Sequence, residues 1–528
     1  MSKKLLKSSL IVASMTLLSR ILGFARDVVF AREFAASAAM DAFLIAFKIP
    51  NFMRRLFAEG AFNQAFVPTL GDYKQTRDKS EVKDLIAHVA GTLGGWLLII
   101  SIIGVITAPV LIMLFAPGYL LNESQHLNQN SQYELTVSLL RITFPYILFI
   151  SLVAFAGGIL NSYHKFAIPA FTPVILNIVL ISSVYFLVPY MDEPVTGLAI
   201  GVFIAGLLQL LLQLPFLAQL GLLVRPKWNR CHEGVRQILK LMLPAIFGAS
   251  IAQINLLLDT VLASLLVSGS ISWLYYSDRL MEFPLGILGV ALATVILPSL
   301  SRDFASKSIS EFSATLDKAI RWVVYLGSPA AIGLFFLAAP IVITLFGSDK
   351  FQSHDVLMSS YSLKAYSLGL FGFIMVKVLL PGFYARKDTT TPVKIGIRAL
   401  IVNMLFNLIF VLPWIFMGWD GPHTGLALAT SLSAMTNAWL LYSGLRKEQI
   451  YCPQAGWKKV WLQVVSANFV MALFLWFATK DINTWQLWGG LEKISTLLVL
   501  IIVAAIIYSV MLWILGVNMK QFLKSKNR

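Results

Sequence analysis

Long apolar runs separated by short polar connectors dominate this chain. A helix needs roughly 20 mainly apolar residues to cross a hydrocarbon core of about 30 Å. Runs of that kind lie near residues 9–31, 37–64, 85–115, 135–160, 169–190, 196–220, 238–267, 271–300, 319–346, 358–384, 392–416, 424–445, 459–479 and 494–516. The pattern predicts an all-α polytopic membrane protein with about 14 transmembrane helices. The connectors agree with that alternation. With the N-terminus inside, the segments assigned to the cytoplasm carry nearly all the connector lysines and arginines, from Lys3, Lys4 and Lys7 through Arg225, Lys227 and Arg230 to Lys524, Lys526 and Arg528. The opposite side has Arg32, Arg141, Lys350, Lys480 and Lys493. The positive-inside rule therefore predicts that both termini are cytoplasmic. The opening MSKKLLKSSLIVASMTLL imitates a secretory signal, but the apolar pattern continues through Arg20 and Arg26 without a small-residue cleavage site, so it reads as an uncleaved first span.

Composition strengthens the membrane reading. The chain is 58% hydrophobic and 13% charged, against about 25% charged residues in soluble domains. Its net charge of +16 is dispersed over short connectors rather than collected on a soluble face, which argues against nucleic acid as a partner. Cys231 and Cys452 stand far apart without CxxC spacing and read as reduced thiols in cytoplasmic loops, not as a disulfide or a zinc site. The six histidines form no HExxH pattern, and no Walker A loop, nucleophile elbow or dinucleotide fingerprint occurs. These patterns give no enzyme signal, and they leave a non-transporting membrane scaffold or an embedded transferase among the alternatives to a transporter.

A weak internal echo organises the spans. DVVFA at 27–31 resembles DTVLA at 259–263, and FVPTL at 66–70 resembles ILPSL at 296–300. The copies sit six spans apart, so the halves share one orientation, as in transporters built from parallel repeats. The expected organisation is a six-helix lobe over 1–225, a second over 226–450, and two added helices over 451–528.

Charge inside the spans points to chemistry. The first span carries Arg20, Arg26 and Asp27, the second Asp41, Lys48, Arg54, Arg55 and Glu59, and the eighth Asp278, Arg279 and Glu282. An ionised side chain at the bilayer centre costs about 2.5 to 3.5 kcal/mol on insertion scales, so these groups must face water or partners. Asp41, Lys48 and Arg55 fall on one helical line, and Pro50 should kink it. Guanidinium groups suit phosphate because their planar donor fork binds its oxygens bidentately. The blander reading pairs each charge with a neighbour: Arg26 with Asp41, Arg55 with Glu59, Arg279 with Glu282. A second cluster, Asp259, Asn403, Asn407 and Thr430, could offer oxygen ligands to a small hard cation, although helix-packing hydrogen bonds explain such spacing equally simply.

The segments SRILGFARD, AMDAFLIAFKIPNFMRRLFAEGAFNQAFVP, SWLYYSDRLMEFPLGILGVALATVILPSLS and VKVLLPGFYARKDTTTPVKI resemble those of the MurJ (MviN) family, lipid II flippases of the bacterial inner membrane within the multidrug and oligosaccharidyl-lipid exporter superfamily. The resemblance implies fourteen helices, with the last two forming a groove for the polyprenyl tail. It implies that Arg26, Arg54 and Arg279 bind the pyrophosphate of lipid II, an undecaprenyl-pyrophosphate-linked sugar-peptide, with Arg20, Asp41, Arg55 and Glu59 as further functional charges. Another polyprenyl-pyrophosphate-linked oligosaccharide is the alternative substrate. No cofactor is expected. Membrane potential, a proton, or a sodium ion on Asp259, Asn403, Asn407 and Thr430 would drive the cycle, and membrane lipids and the cell-wall synthesis machinery are the expected partners. Where such a sodium site has a second acid, this chain has Asn407, which weakens the case for sodium.

Overall fold

The computed structural model describes residues 3–55, 62–121 and 130–517, and every regular element among them is helical. The chain divides into two compact units, Met1–Ser272 and Trp273–Arg528. The first contains α1 (Lys3–Phe34), α2 (Ala38–Arg54), α3 (Asn63–Thr76), α4 (Lys79–Ile106), α5 (Ala108–Phe115), α6 (Gly118–Leu121), α7 (Asn130–Thr143), α8 (Tyr146–Ser162), α9 (Ala167–Phe186), α10 (Pro194–Gln219) and α11 (Glu233–Ser264), and ends in the first turn of α12 (Ser270–Pro284). The second continues through a π-helical turn at Leu285–Val290 to α13 (Ala291–Ala305), α14 (Ile309–Phe336), α15 (Ala338–Phe346), α16 (Ser353–Tyr384), α17 (Thr390–Phe416), α18 (His423–Lys447), α19 (Trp457–Ala478), α20 (Ile482–Leu487) and α21 (Gly490–Ile514).

Ten helical segments among the described residues are long and apolar enough to cross a membrane. The expected spans outside that set are α1, with Arg20, Arg26 and Asp27, α2, with Asp41 and Lys48, α11 and α18. Several expected spans are interrupted, and proline marks most of the interruptions. The 85–115 run is α4 followed by α5, with Pro109 in the first turn of α5, where its missing N–H is harmless. Pro145 separates α7 from α8, and the 271–300 run passes from α12 to α13 through the π turn that follows Pro284. The segment after residue 64, expected to be a connector, is helical over Asn63–Thr76. Its buried Ala65, Phe66, Thr69, Leu70 and Tyr73 lie along one face, and polar residues on the other face depress its mean hydropathy.

In the first unit α1 packs on α9, α2 on α7, and α10 on α8 and α9. The α3 face joins Leu85, Phe155, Ile159 and Ile238 in one core cluster, in which the Phe66 and Phe155 rings are 5.0 Å apart. In the second unit α16 packs closely on α18 and α14, α17 on α18, and α19 on α21 and α14. The α16–α18 approach needs glycine. A Cβ on Gly369 or Gly372 would overlap the backbone of Ser431 or Met435, and at that range the Ser431 hydroxyl donates to the Ala365 carbonyl at 2.7 Å.

One buried carboxylate ties the α18–α19 connector to α14. Asp317, 1% exposed, accepts from Tyr451 Oη at 2.7 Å, Trp457 Nε1 at 2.8 Å and the Gln454 amide at 3.2 Å, while Arg321 Nε pairs with its other oxygen at 2.7 Å. Replacing it strands several donors and a partly buried guanidinium. Asp317→Ala should therefore lower the stability of the detergent-solubilised protein by about 3 kcal/mol or more, read as a fall in the thermal midpoint. A midpoint within a degree of the parent would show that the connector does not depend on this carboxylate.

Candidate functional site

Arg26 sits on α1 and is 7% exposed. Its Nε and Nη2 donate to Asp27 Oδ1 at 3.0 and 2.7 Å, and Nη1 donates to Asn177 Oδ1 at 3.0 Å. Asn177, on α9, uses its amide nitrogen to reach the Ser19 carbonyl at 3.0 Å, so one side chain grips both the α1 backbone and the guanidinium. It lies along α1 beside Gly23, whose Cβ position would be in ordinary contact with the Asn177 amide at 3.5 Å. The Phe30 ring centroid lies 5.6 Å from the guanidinium carbon. Acid, amide and ring together hold the guanidinium in one orientation inside an apolar helix pair.

The carboxylate partner of Arg26 is thus Asp27, its neighbour in the chain, rather than Asp41. Asp41, 2% exposed, caps the start of α12. It accepts from the Gly269 amide at 2.7 Å, the Ser272 amide at 2.8 Å and the Ser272 hydroxyl at 2.5 Å. The first turn of a helix presents unpaired N–H groups and a partial positive charge, so a carboxylate there is stabilising even when supplied from a distant part of the chain. Asp41 in turn is placed by the start of α2, where the Ser37 hydroxyl caps the Met40 amide at 3.2 Å.

The remaining predicted residues fall as follows. Arg54, half-buried at the end of α2, donates through Nε to Asn51 Oδ1 at 3.2 Å, and the neighbouring Arg55 is exposed. Arg20 is exposed on α1. Glu59 lies outside the described residues. Within the second unit, Arg279 Nη1 pairs with Glu282 Oε2 at 2.8 Å and the guanidinium lies 5.1 Å from the Tyr275 ring centroid. The turns of α12 before it are anchored on α16: Trp273 Nε1 donates to Asp355 Oδ1 at 2.8 Å, and the Ser277 hydroxyl donates to the Ser359 carbonyl at 2.7 Å. Buried His423 completes this anchor, with Nε2 3.1 Å from the Met358 carbonyl and its ring 4.9 Å from the Trp273 ring. Sequence reading missed Asn177, Asp355 and the Trp273–His423 contact. A lone Asn inside the apolar run 169–190 was the available signal for the first.

Of the expected cation ligands, the second unit brings three together. Asn407 Nδ2 donates to Asn403 Oδ1 at 3.0 Å, and Asn403 Nδ2 faces Thr430 Oγ1 at 3.4 Å. Both asparagines are buried, at 1% and 0% exposure. Their amides hydrogen-bond to one another along α17 and toward α18 and bring no charge to the cluster. Asp259, half-buried on α11, belongs to the first unit.

The chain resembles known proteins over nearly its full length. Residues 30–489 match the family described as lipid II flippase MurJ. A Vibrio cholerae protein named probable lipid II flippase MurJ is 48% identical over 521 residues, covering 98% of this chain and 98% of its own. A solved structure titled lipid II flippase MurJ, inward closed conformation, superposes with a TM-score of 0.76 at 28% identity, covering 95% of this chain and 98% of that one. An inward-facing multidrug transporter of the MATE family in the MOP superfamily superposes with a TM-score of 0.61 at 15% identity over 84% of this chain and 98% of its own, a likeness of fold.

The cap on α12 generates a test that separates a structural from a substrate-reading Asp41. Asp41→Ala removes three hydrogen bonds and should cost about 3 kcal/mol of stability, with Asp41→Asn, which keeps one acceptor oxygen, losing about half as much. The measurement is thermal unfolding of both variants in detergent. Unchanged midpoints in both, alongside lost transport, would remove the capping role.

Proposed function

The chain belongs to the MurJ family of lipid II flippases, and from that membership we propose how its residues perform the transport: Arg26, Arg54 and Arg279 hold the headgroup pyrophosphate while the protein alternates between openings to the cytoplasm and to the outside. It is a multi-pass membrane transporter, and lipid II is its substrate. The observation that carries the residue assignment is Arg26, a buried guanidinium in an apolar helix, held by Asp27 and Asn177 in one orientation. Ionisable groups at such depth are costly unless used, and a fixed donor fork meets phosphate oxygens without first losing rotamer freedom. Asp41 acts as a positioning residue for the helix that carries Arg279, and Arg20, Arg55 and Glu59 add charge to the path of the headgroup.

The finer topology belongs to the same proposal: fourteen crossings, lobes over 1–225 and 226–450, and an added pair over 451–528, with both termini in the cytoplasm. The one-sided distribution of connector lysines and arginines supports it. The polyprenyl tail stays in lipid throughout, against the added pair. An apolar cavity of about 840 Å³ lined by Val324, Phe371, Trp439, Tyr442, Trp457 and Trp461 suits such a chain.

Direction comes from the membrane potential. An inside-negative potential favours outward movement of an anion by about 2.3 kcal/mol per charge per 100 mV, and by roughly twice that for a doubly charged headgroup crossing the whole field. Asp259 with Asn403, Asn407 and Thr430 would hold a sodium ion if one takes part, and no step here is routed through it.

The decisive experiment depletes the native flippase in cells and follows exposure of lipid II on the outer leaflet. Arg26→Ala, Arg54→Ala and Arg279→Ala should each reduce exposure by about 10- to 100-fold, the range set by losing one charged hydrogen-bonding partner. Lysine at the same positions should restore only part, since a point charge replaces a planar fork. Full rescue by all three alanine variants would remove the proposed site.

A further inference from the structure

The cytoplasm-assigned end of α4 carries a cluster that the transport reading leaves unused. Asp84 and His88 are one helical turn apart, and His232, just ahead of α11, faces them. One ligand atom from each lies within 4.8 Å of the other two. Asp84 Oδ2 is 3.1 Å from His88 Nδ1 and 3.5 Å from His232 Nε2, and the two imidazole rings stack with centroids 4.5 Å apart. Both rings are largely shielded, with side chains 13% and 19% exposed. His232 Nδ1 is buried and has no hydrogen-bond partner among the described residues.

The segment that brings His232 here is rigidly docked. Ala87, Gly91 and Gly95 repeat every four residues along α4 and form a shallow channel in which the connector between α10 and α11 lies. A Cβ on Gly91 would overlap the Lys227 backbone, and one on Gly95 would overlap the Trp228 ring. The Lys227 amide donates to the Ala87 carbonyl at 2.9 Å, and the Asn229 amide to Thr92 Oγ1 at 3.4 Å. The three side chains are therefore pre-placed by packing around them, as a metal site requires.

We propose that Asp84, His88 and His232 form a binding site for a divalent transition metal of the zinc class, which clamps the α10–α11 connector to α4. Two imidazoles and one carboxylate are the donor types zinc accepts, with water completing four-coordination. Bonds of 2.0 to 2.2 Å place tetrahedral ligand atoms about 3.3 Å apart, so no separation needs to contract by more than about 1.5 Å, within reach of side-chain rotation. Lys227 Nζ holds the other carboxylate oxygen, Oδ1, at 2.9 Å, which aims Oδ2 at the two imidazoles in the manner of an outer-shell partner. Burial and the adjacent His88 push the His232 imidazole below its ordinary value. Without metal, His88 Nδ1 lies 2.9 Å from the Asp84 carbonyl, a contact that metal binding through this atom would replace.

The test uses full-length protein in detergent, with its affinity tag removed and stripped by EDTA, titrated with Zn2+ against a chromophoric chelator at neutral pH. One ion per chain is expected, with affinity weakened at least about tenfold by H88A, by H232A and by D84N. Co2+ gives an independent reading, since its visible ligand-field band should appear in the parent and vanish in the H88A/H232A double variant. H88Q and H232Q form a gentler second set: loss of Zn2+ binding with an unchanged metal-free melting temperature supports the site. No stoichiometric uptake by the parent, or uptake undiminished in the double variant, overturns it.

Discussion

A charge placed inside an apolar helix must be met from within the protein, and the structure of this flippase is arranged around that requirement. Arg26 is met by Asp27 and Asn177, Asp41 by the first amides of α12, and Asp317 by a tyrosine, a tryptophan, an amide and Arg321. Each arrangement joins pieces of chain far apart in sequence: α1 to α9, α2 to α12, α14 to the α18–α19 connector. The polar contacts thus supply the specificity that apolar packing lacks in lipid, where one leucine-rich face fits another with little preference.

How much of this was legible depended on the range of the interaction. The all-helical membrane class and the charged character of α1, α2 and α12 were plain, because hydropathy and charge are local properties of each run. The Arg279–Glu282 pair was foreseen for the same reason, since three residues on a helix are neighbours. The partner of Arg26 was misjudged. A helix-to-helix pairing with Asp41 satisfied charge balance, but residues adjacent in the chain can also converge when an arginine folds back, and Asp41 found backbone amides instead. Backbone donors carry no signature in a sequence. Asn177, 151 residues from Arg26, could not be matched to it without knowing that α1 packs on α9.

Helix interruptions mark a second limit. A hydropathy criterion counts apolar residues and is blind to whether the backbone ladder runs through them, so 85–115 reads as one span although it holds α4 and a separate α5 opened by Pro109. At 135–160 the chain turns at Pro145 and still forms one candidate span, Gln132–Ser162. The opposite error arose at Asn63–Thr76, where an amphipathic helix with a buried aromatic face was read as a connector, because its average hydropathy is low although its pattern is helical. The π turn at Leu285–Val290, directly after Pro284, also escaped notice. There the side chain of Lys377 packs against Gly289, at 3.5 Å from where a Cβ would stand. The helix runs on through this turn, so α12 and α13 form one continuous segment, Ser270–Ala305.

The pairings bear on how a potential can drive the proposed cycle. An unpaired arginine moving with the protein would carry charge across part of the field on every return, and that movement would work against or with the outward step by an amount comparable to the substrate's own. Arg26 moves with Asp27, and Arg279 with Glu282, so each of these two carries nearly no net charge through the field. Arg54 is hydrogen-bonded to the neutral Asn51, which cancels none of its charge, so in the proposed cycle the headgroup phosphates share the voltage-dependent work with that guanidinium. Neutralising the acids would undo this: with Asp27 or Glu282 uncharged, the arginine would hold pyrophosphate more tightly and would also drag its charge back through the field. On the proposed site, pairing would weaken the grip on the substrate and in exchange spare these two arginines from carrying net charge through the field.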